Sequence, residues 1–315
     1  MKRKIIVGSR RSKLALTQSN WVINKLKENY PEFDFEIKEI VTKGDRILDV
    51  TLSKVGGKGL FVSEVEQALS DEAIDFAVHS MKDVPSSLKE GLIIGAIPKR
   101  ESPLDCFVFN QVNSLDELPQ GSVIGTSSLR RAAQLLKHRP DFVIKPIRGN
   151  IDTRLQKLHA ENFDAIILAK AGLARMGWLE NTTLKLEDIP PEVCLPAVGQ
   201  GALAIECRES DQQIRDMLTS IHHEETGICV EAERVFLKKL NGGCEIPIAG
   251  FATRANEFVQ FKGLVGNADG SIILESEQVG ANPSEIGNKV AEDLLSEGAD
   301  TIIKELRNVW VKKLF

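Results

Sequence analysis

Residues 125–136, GTSSLRRAAQLL, place three hydroxyl side chains and two adjacent arginines where an apolar strand-like run gives way to a helix-forming one. The unpaired N–H groups and positive dipole end of such a helix start face outward. Thr126, Ser127 and Ser128 add hydroxyl donors, and Arg130 and Arg131 suit a bidentate grip on a carboxylate. The plain alternative is a solvated helix with a serine cap. The surroundings favour an anion site, because residues 121–175 hold six arginines and four lysines against three aspartates and one glutamate in a chain of formal net charge -5. Arg148 in PIRGN follows a strand-like run, Arg154 lies one turn into the next helical run, and Arg175 follows LAKAGLA. Successive strand ends of an open α/β sheet fall along one edge, so these guanidiniums can converge on one crevice. Arginines without interleaved aromatic residues suit the carboxylates or phosphates of a small ligand better than nucleic-acid bases.

HSMKDVP, residues 79–85, follows the strand-like IDFAV and ends at a proline, which puts Lys82 and Asp83 on a strand-end loop. A carboxylate beside a lysine stays ionised at neutral pH, ready to stabilise a cation or move a proton; the plain alternative is an aspartate capping a turn. KVGGKGLF lacks the spacing of a phosphate-binding P-loop, and no G-x-G-x-x-G opens a helix after a strand. HHEE at 222–225 reads as polar helix-entry sequence, since adjacent histidines seldom face one point, and no metal site is expected. In LNGGCEIPIAG, residues 240–250, Gly242 and Gly243 suit a helix C-terminal cap, so Cys244 lies at the negative end of the dipole, where a thiolate is disfavoured. That position argues against a fast-cycling nucleophile and suits an attachment made once.

The elements that must position these residues read as follows. KIIVG is a strand, the run from Ser12 to Tyr30 a helix, and FDFEIKEIV a strand. A helix near 60–70 and the strands IDFAV and LIIGAIP complete a first α/β unit. DCFVF, SVIGT, FVIKPI and FDAIILA are strands of a second unit, with helices over SSLRRAAQLLKH and NIDTRLQKLHAEN. GALAIECR follows as a strand, and from about residue 220 one long helix, three strands and two helices suit a small α+β domain. KGDRILDVTLSKVGGKG, between Thr42 and Leu60, has no sustained period and reads as a long loop or lid.

At 315 residues, 42% hydrophobic and 27% charged, the chain is long enough for two or three cores and ordinary for a globular protein. The basic start is followed by an apolar run of only Ile5, Ile6 and Val7, and no apolar stretch approaches the ~18 residues that cross a bilayer. The expected location is the cytoplasm, with no membrane or nucleic-acid partner. Cys106, Cys194, Cys207, Cys229 and Cys244 form no C-x-x-C pair; the first four read as core residues.

The ordered set GSRRSKLALTQ, GGKGLF, HSMKDVP, GTSSLRR, RGNIDTR, LAKAGLAR, PAVGQGALAIE and LNGGCEIP resembles the porphobilinogen deaminases, or hydroxymethylbilane synthases, over about residues 7–252. The one departure noted, Val65 where many relatives have leucine, is conservative. The resemblance implies two α/β domains like those of periplasmic binding proteins, one at 1–99 plus 199–219 and one at 100–198, with a C-terminal α+β domain at 220–315. It implies a transferase that joins four porphobilinogen molecules head to tail, releasing ammonia each time, and then frees hydroxymethylbilane by hydrolysis for tetrapyrrole and haem biosynthesis. The primer it implies is a dipyrromethane cofactor joined by thioether to Cys244.

Asp83 matches the family's catalytic aspartate, with Lys82 as its electrostatic neighbour. Arg130, Arg131, Ser128, Thr126, Ser80, Arg148, Gly149 and Asn150 are implied around the cofactor. Arg10, Arg11, Ser12, Arg148, Arg154, Arg175, Lys54, Lys58, Phe61 and Gln200 are implied around the substrate. A monomer with porphobilinogen as its small-molecule partner is expected. The rival from another class is a non-catalytic binding protein that captures a dicarboxylate in an arginine-lined cleft, for which Cys244 would be unnecessary. A nucleotide-dependent transferase is a third reading, which turnover without ATP would discard.

Overall fold

The computed structural model describes residues 4–46, 62–181, 183–243 and 246–311. β1 (Lys4–Arg10) buries Ile5 and Val7 and leads through Ser12, whose side chain accepts from the Ala15 N–H, into α1 (Lys13–Asn29). Val22, Ile23 and Leu26, three and four residues apart, form the buried stripe of α1. β2 (Asp34–Ile40) pairs in parallel with β1 along its whole length. A short helical turn α2 (Lys43–Arg46), then α3 (Ser63–Ser70), β3 (Phe76–Ser80) and β4 (Leu92–Ala96) follow.

The second sheet is built from β5 (Asp105–Phe109), β6 (Val123–Gly125), α4 (Leu129–His138), β7 (Val143–Lys145), α5 (Ile151–Ala160), β8 (Ala165–Ala169), α6 (Lys170–Arg175) and β9 (Lys185–Ile189). The chain then enters β10 (Leu203–Arg208), which lies in the first sheet between β3 and β4, antiparallel to both. The orders are β2-β1-β3-β10-β4 and β7-β6-β8-β5-β9, with β5 antiparallel to β8 and β9. One plan serves both: three parallel strands, then the antiparallel strand that follows a passage between the sheets, then an outer strand. β5 is buried at every position, as expected for a central strand covered on both faces.

The two passages are fastened together. Arg100 Nε donates to the Gln200 carbonyl at 2.7 Å, and its terminal nitrogens meet the buried Glu233 carboxylate at 2.6 and 3.1 Å. Glu233 also accepts from the Gly199 and Ala252 N–H groups, at 2.6 and 3.0 Å. At Gly201, φ is +88° and an added Cβ would lie 2.4 Å from the Glu101 carbonyl oxygen, so the closest approach of the passages requires glycine.

Beyond α7 (Gln212–Thr219), the C-terminal unit consists of α8 (Glu224–Lys239), the antiparallel sheet β11 (Ile248–Ala255), β12 (Phe258–Gly266) and β13 (Ile273–Gly280), then α9 (Pro283–Ser296) and α10 (Ala299–Val311). Its core is centred on Phe236 and Phe261, packed edge to face with centroids 5.1 Å apart. Two α/β units and a smaller α+β unit make up the fold. β9 and α7 escaped the sequence reading because the outer strand KLEDI is polar at alternate and adjacent positions alike, and α7 has only eight residues. His223 caps α8 by accepting from the Thr226 N–H, with Glu224 and Glu225 in the first turn, and no metal-binding cluster occurs among the described residues.

Candidate functional site

β3 ends at Ser80, and Met81–Asp83 form a single 3-10 turn in place of the open loop read from the sequence. The turn is anchored from below: Met81 is buried and its N–H donates to the Ala202 carbonyl at 3.0 Å, while Arg234 of α8 donates to the Pro85 carbonyl at 2.9 Å. Asp83 itself is exposed, and with Arg10, Ser12, Gln18 and Ser80 it lines a cavity of about 60 Å³ at the strand ends. Lys82 turns the other way, and its Nζ donates to Gln200 Oε1 at 3.3 Å. Burial and the positive charge of Arg131 push the Lys82 ammonium down to about 8, although Asp83 and Asp105 pull it back.

At the start of α4 the hydroxyls are largely committed within the protein. Thr126 is buried and its Oγ1 accepts from the Ser128 N–H at 3.1 Å, while Ser127 Oγ donates to the Ile147 carbonyl at 2.8 Å. Ser128 is the helix cap, accepting from the Arg131 N–H. Arg130 and Arg131 are each only 6% exposed and both grip Asp105, the first residue of β5. Arg130 Nη2 lies 2.7 Å from Asp105 Oδ2, and Arg131 donates to Oδ1 from Nε at 3.0 Å and from Nη2 at 2.7 Å. Burial works to raise the Asp105 carboxyl, but the two guanidiniums outweigh it and hold the group well below the usual carboxylate range. Gln200 Nε2 donates to the same Oδ1 at 2.9 Å, linking this cluster to Lys82. Cys194 packs beside it, its thiol pushed up to about 12 by burial, which fits an inert core residue.

Of three further arginines, Arg148, Arg154 and Arg175, two are held by backbone carbonyls. Arg154 Nε donates to the carbonyl of Gly149 at 2.9 Å, and burial with the charges of Arg131 and Arg148 pushes it down to about 10. Gly149 holds φ +116°, and Asn150 caps α5 by accepting from the Thr153 N–H at 2.9 Å. Arg148 is half-buried and lowered by that burial. Arg175 donates to the Gly201 carbonyl at 2.7 Å, and burial, opposed by Glu101, pushes it down to about 10. Guanidiniums depressed by burial and by one another gain most from an incoming carboxylate.

Arg10 is paired with Asp45 of α2, Arg11 is exposed, and Ser12 is the α1 cap. Cys244, Lys54, Lys58 and Phe61 lie outside the described residues. The left-handed residue after α8 is Asn241, with φ 51°, and not a glycine; Gly242 instead allows close packing, since a Cβ there would meet Leu237 and Ile248 at 2.7 and 2.6 Å. Sequence reasoning missed Asp105 and Arg234. A charge at the head of the otherwise apolar run DCFVF was the available signal for Asp105, because a carboxylate in a doubly covered strand needs paired partners.

Two α/β units carry arginines and the exposed Asp83 near their strand ends, and a third unit is fastened to the passages between them. The family model described as porphobilinogen deaminase, dipyromethane cofactor binding domain, matches residues 5–216, and that of the porphobilinogen deaminase C-terminal domain matches residues 227–296. The porphobilinogen deaminase of Listeria monocytogenes serotype 4b is 97% identical over 309 residues, covering 98% of this chain and 100% of the relative. That of Bacillus subtilis is 57% identical over 308 residues, covering 98% of each. Among solved structures, a periplasmic binding protein of Salmonella typhimurium with high arginine specificity is similar at a TM-score of 0.40 and 12% identity, covering 70% of this chain and 92% of that one. The chain belongs to the porphobilinogen deaminase family.

Proposed function

We propose that this chain joins four porphobilinogen molecules head to tail on a dipyrromethane held by thioether at Cys244, with Asp83 as its catalytic group, and then releases hydroxymethylbilane by hydrolysis. The observation that carries the site assignment is the exposure of Asp83 on an anchored turn, in one cavity with Arg10, Ser12 and Ser80. The donor set also fits the cofactor, since dipyrromethane carries several carboxylates and the guanidiniums of Arg130 and Arg131 stand side by side at the start of α4, with Arg148 after β7. When bound, dipyrromethane supplies the pyrrole carbon to which the first porphobilinogen is joined.

Each addition breaks the carbon–nitrogen bond of an aminomethyl group and forms a carbon–carbon bond to a pyrrole carbon, which loses its hydrogen; ammonia leaves. Asp83 accepts hydrogen bonds from pyrrole N–H groups and stabilises the positive charge that develops as ammonia departs. Lys82 sets the local field beside it. Arg130, Arg131 and Arg148, with Thr126, Ser128, Ser80, Gly149 and Asn150, hold carboxylates of the cofactor, and Arg10, Arg11, Ser12, Arg148, Arg154, Arg175, Lys54, Lys58, Phe61 and Gln200 serve the incoming substrate. The domains proposed are 1–99 with 199–219, 100–198, and 220–315.

We propose a monomer working in the cytoplasm. The four described cysteines are free and buried, as suits a reducing compartment, and no helix among the described residues is long and apolar enough to cross a membrane. Size-exclusion chromatography with light scattering checks the monomer. Intact mass tests the main reading: protein from cells making porphobilinogen should be heavier than its sequence by one dipyrromethane, and the increment should vanish in Cys244→Ser. An active protein without that increment would overturn the role given to Cys244.

A further inference from the structure

We propose that Asp105 is a positioning residue of the reaction, a buried carboxylate that holds Arg130 and Arg131 side by side and, through Gln200, sets Lys82 beside Asp83. The proposal rests on the reading that this cleft receives the carboxylates of dipyrromethane and porphobilinogen. Asp105 is fully buried at the head of β5, the second sheet's antiparallel strand, where the backbone is paired on both sides, to Ala169 in β8 and to Ile189 in β9. Its backbone is therefore held from both sides by the sheet. Three segments converge on it: Arg130 and Arg131 from α4, Gln200 from the returning passage and, one hydrogen bond further, Lys82 from the turn after β3.

Without a carboxylate between them, two adjacent guanidiniums would repel each other and turn outward or apart. With Asp105 present, the three groups together carry one net positive charge in a fixed arrangement. The remaining internal contacts complete the mounting: Arg130 donates to the Leu195 carbonyl at 2.8 Å and Arg131 to the Ile167 carbonyl at 3.0 Å. An arginine pair that is already ordered gives up less conformational freedom when a ligand carboxylate arrives. The same carboxylate fixes the acceptor of Lys82, because the amide that donates to Asp105 offers its oxygen to the ammonium. Lys82 is thus placed by the second lobe although it belongs to the first.

The experiment compares wild type with Asp105→Asn and Asp105→Glu as full chains without cofactor, each checked for folding by circular dichroism and thermal unfolding. The apo-proteins are given porphobilinogen; intact mass follows uptake of dipyrromethane, and steady-state rates give kcat and KM. Folded Asp105→Asn should take up the primer roughly a hundredfold more slowly, as expected when catalytic groups shift by an ångström, and Asp105→Glu should recover part of that loss. A folded Asp105→Asn that loads and turns over as wild type does would overturn the proposal. Should Asp105→Asn not fold, Gln200→Met severs the link to Lys82 and leaves the three-charge cluster in place. Its expected signature is a lower kcat whose alkaline limb moves to lower pH; an unmoved limb and a wild-type kcat would also overturn the proposal. Wild type that takes up no dipyrromethane would defeat the reading of the site itself, and the proposal with it.

Discussion

The two α/β units share a strand plan, so their strand ends can be compared place by place. β1 and β6 each run into a helix capped by serine, Ser12 in one and Ser128 in the other. At the first, Arg10 reaches outward to Asp45, and both groups keep some solvent contact. At the second, Arg130 and Arg131 fold inward onto a carboxylate with none. The antiparallel strands keep the same step and differ in the residue it presents: opposite the end of β3 stands Leu203, the first residue of β10, and opposite the end of β8 stands Asp105, the first residue of β5. One lobe thus leaves its acid, Asp83, exposed beyond the strand end, while the other buries its acid beneath two arginines. Exposure suits a group that must touch reacting atoms, and burial suits one that must hold others still.

The most severe test of this contrast is Asp83→Asn. An exposed side chain contributes little to the fold, so stability should stay within about 0.5 kcal/mol of wild type by urea titration. Turnover of the loaded enzyme should fall by about 10²–10³-fold, the loss typical of a group that stabilises developing charge. Near-normal turnover would end the assignment. Arg131→Ala should do the reverse in stability, costing about 3–5 kcal/mol because it breaks a buried ion pair. Arg154→Ala, whose hydrogen bond among the described residues is to a backbone carbonyl, should cost only about 1 kcal/mol while raising KM for porphobilinogen, read by steady-state kinetics. Equal stability losses in these two arginine variants would erase the distinction between a mounted arginine and a receptive one.

That distinction is also where the sequence stopped being readable. Strand and helix periodicity located β1, α1, β5, α4, β8 and β10, because each is covered enough for its apolar pattern to be set by burial. Asp83 was legible as a strand-end carboxylate, since Pro85 closes the turn within two residues. The partners of Arg130 and Arg131 were not legible. Asp105 is buried only because residues 126–131 and 194–200 close over it, and no local pattern encodes that meeting. Asp45 escaped for the same reason: it reaches Arg10 across 35 positions of sequence. Local chemistry showed which side chains could bind an anion, and long-range packing decided which of them already hold one.

Lys82 sharpens the comparison along the pH axis. Its folded value of about 8 lies below the ordinary lysine value of 10.5, so between those limits the unfolded chain binds more protons and the group's unfavourable contribution to stability is relieved as pH rises. Activity should move the opposite way if the ammonium is needed beside Asp83: kcat should decline above about pH 8, and Lys82→Arg should carry that limb upward, since arginine stays protonated. A limb unmoved in Lys82→Arg would assign it to another group.

The smallest effect belongs to the outer pair. Asp45 is held below its ordinary value, burial being outweighed by hydrogen bonds from Arg10 and Thr42, so its contribution is present above the unfolded value of about 3.9 and fades as pH falls through the folded one. Because the pair retains solvent contact, Asp45→Ala should cost about 1 kcal/mol or less at neutral pH, and less again at ~1 M salt. The Asp105 cluster has no such solvent path, so the loss caused by Arg131→Ala should change little over the same salt range. A salt response as large at Asp105 as at Asp45 would mean that water reaches the inner carboxylate, and the asymmetry between the lobes would then be one of degree.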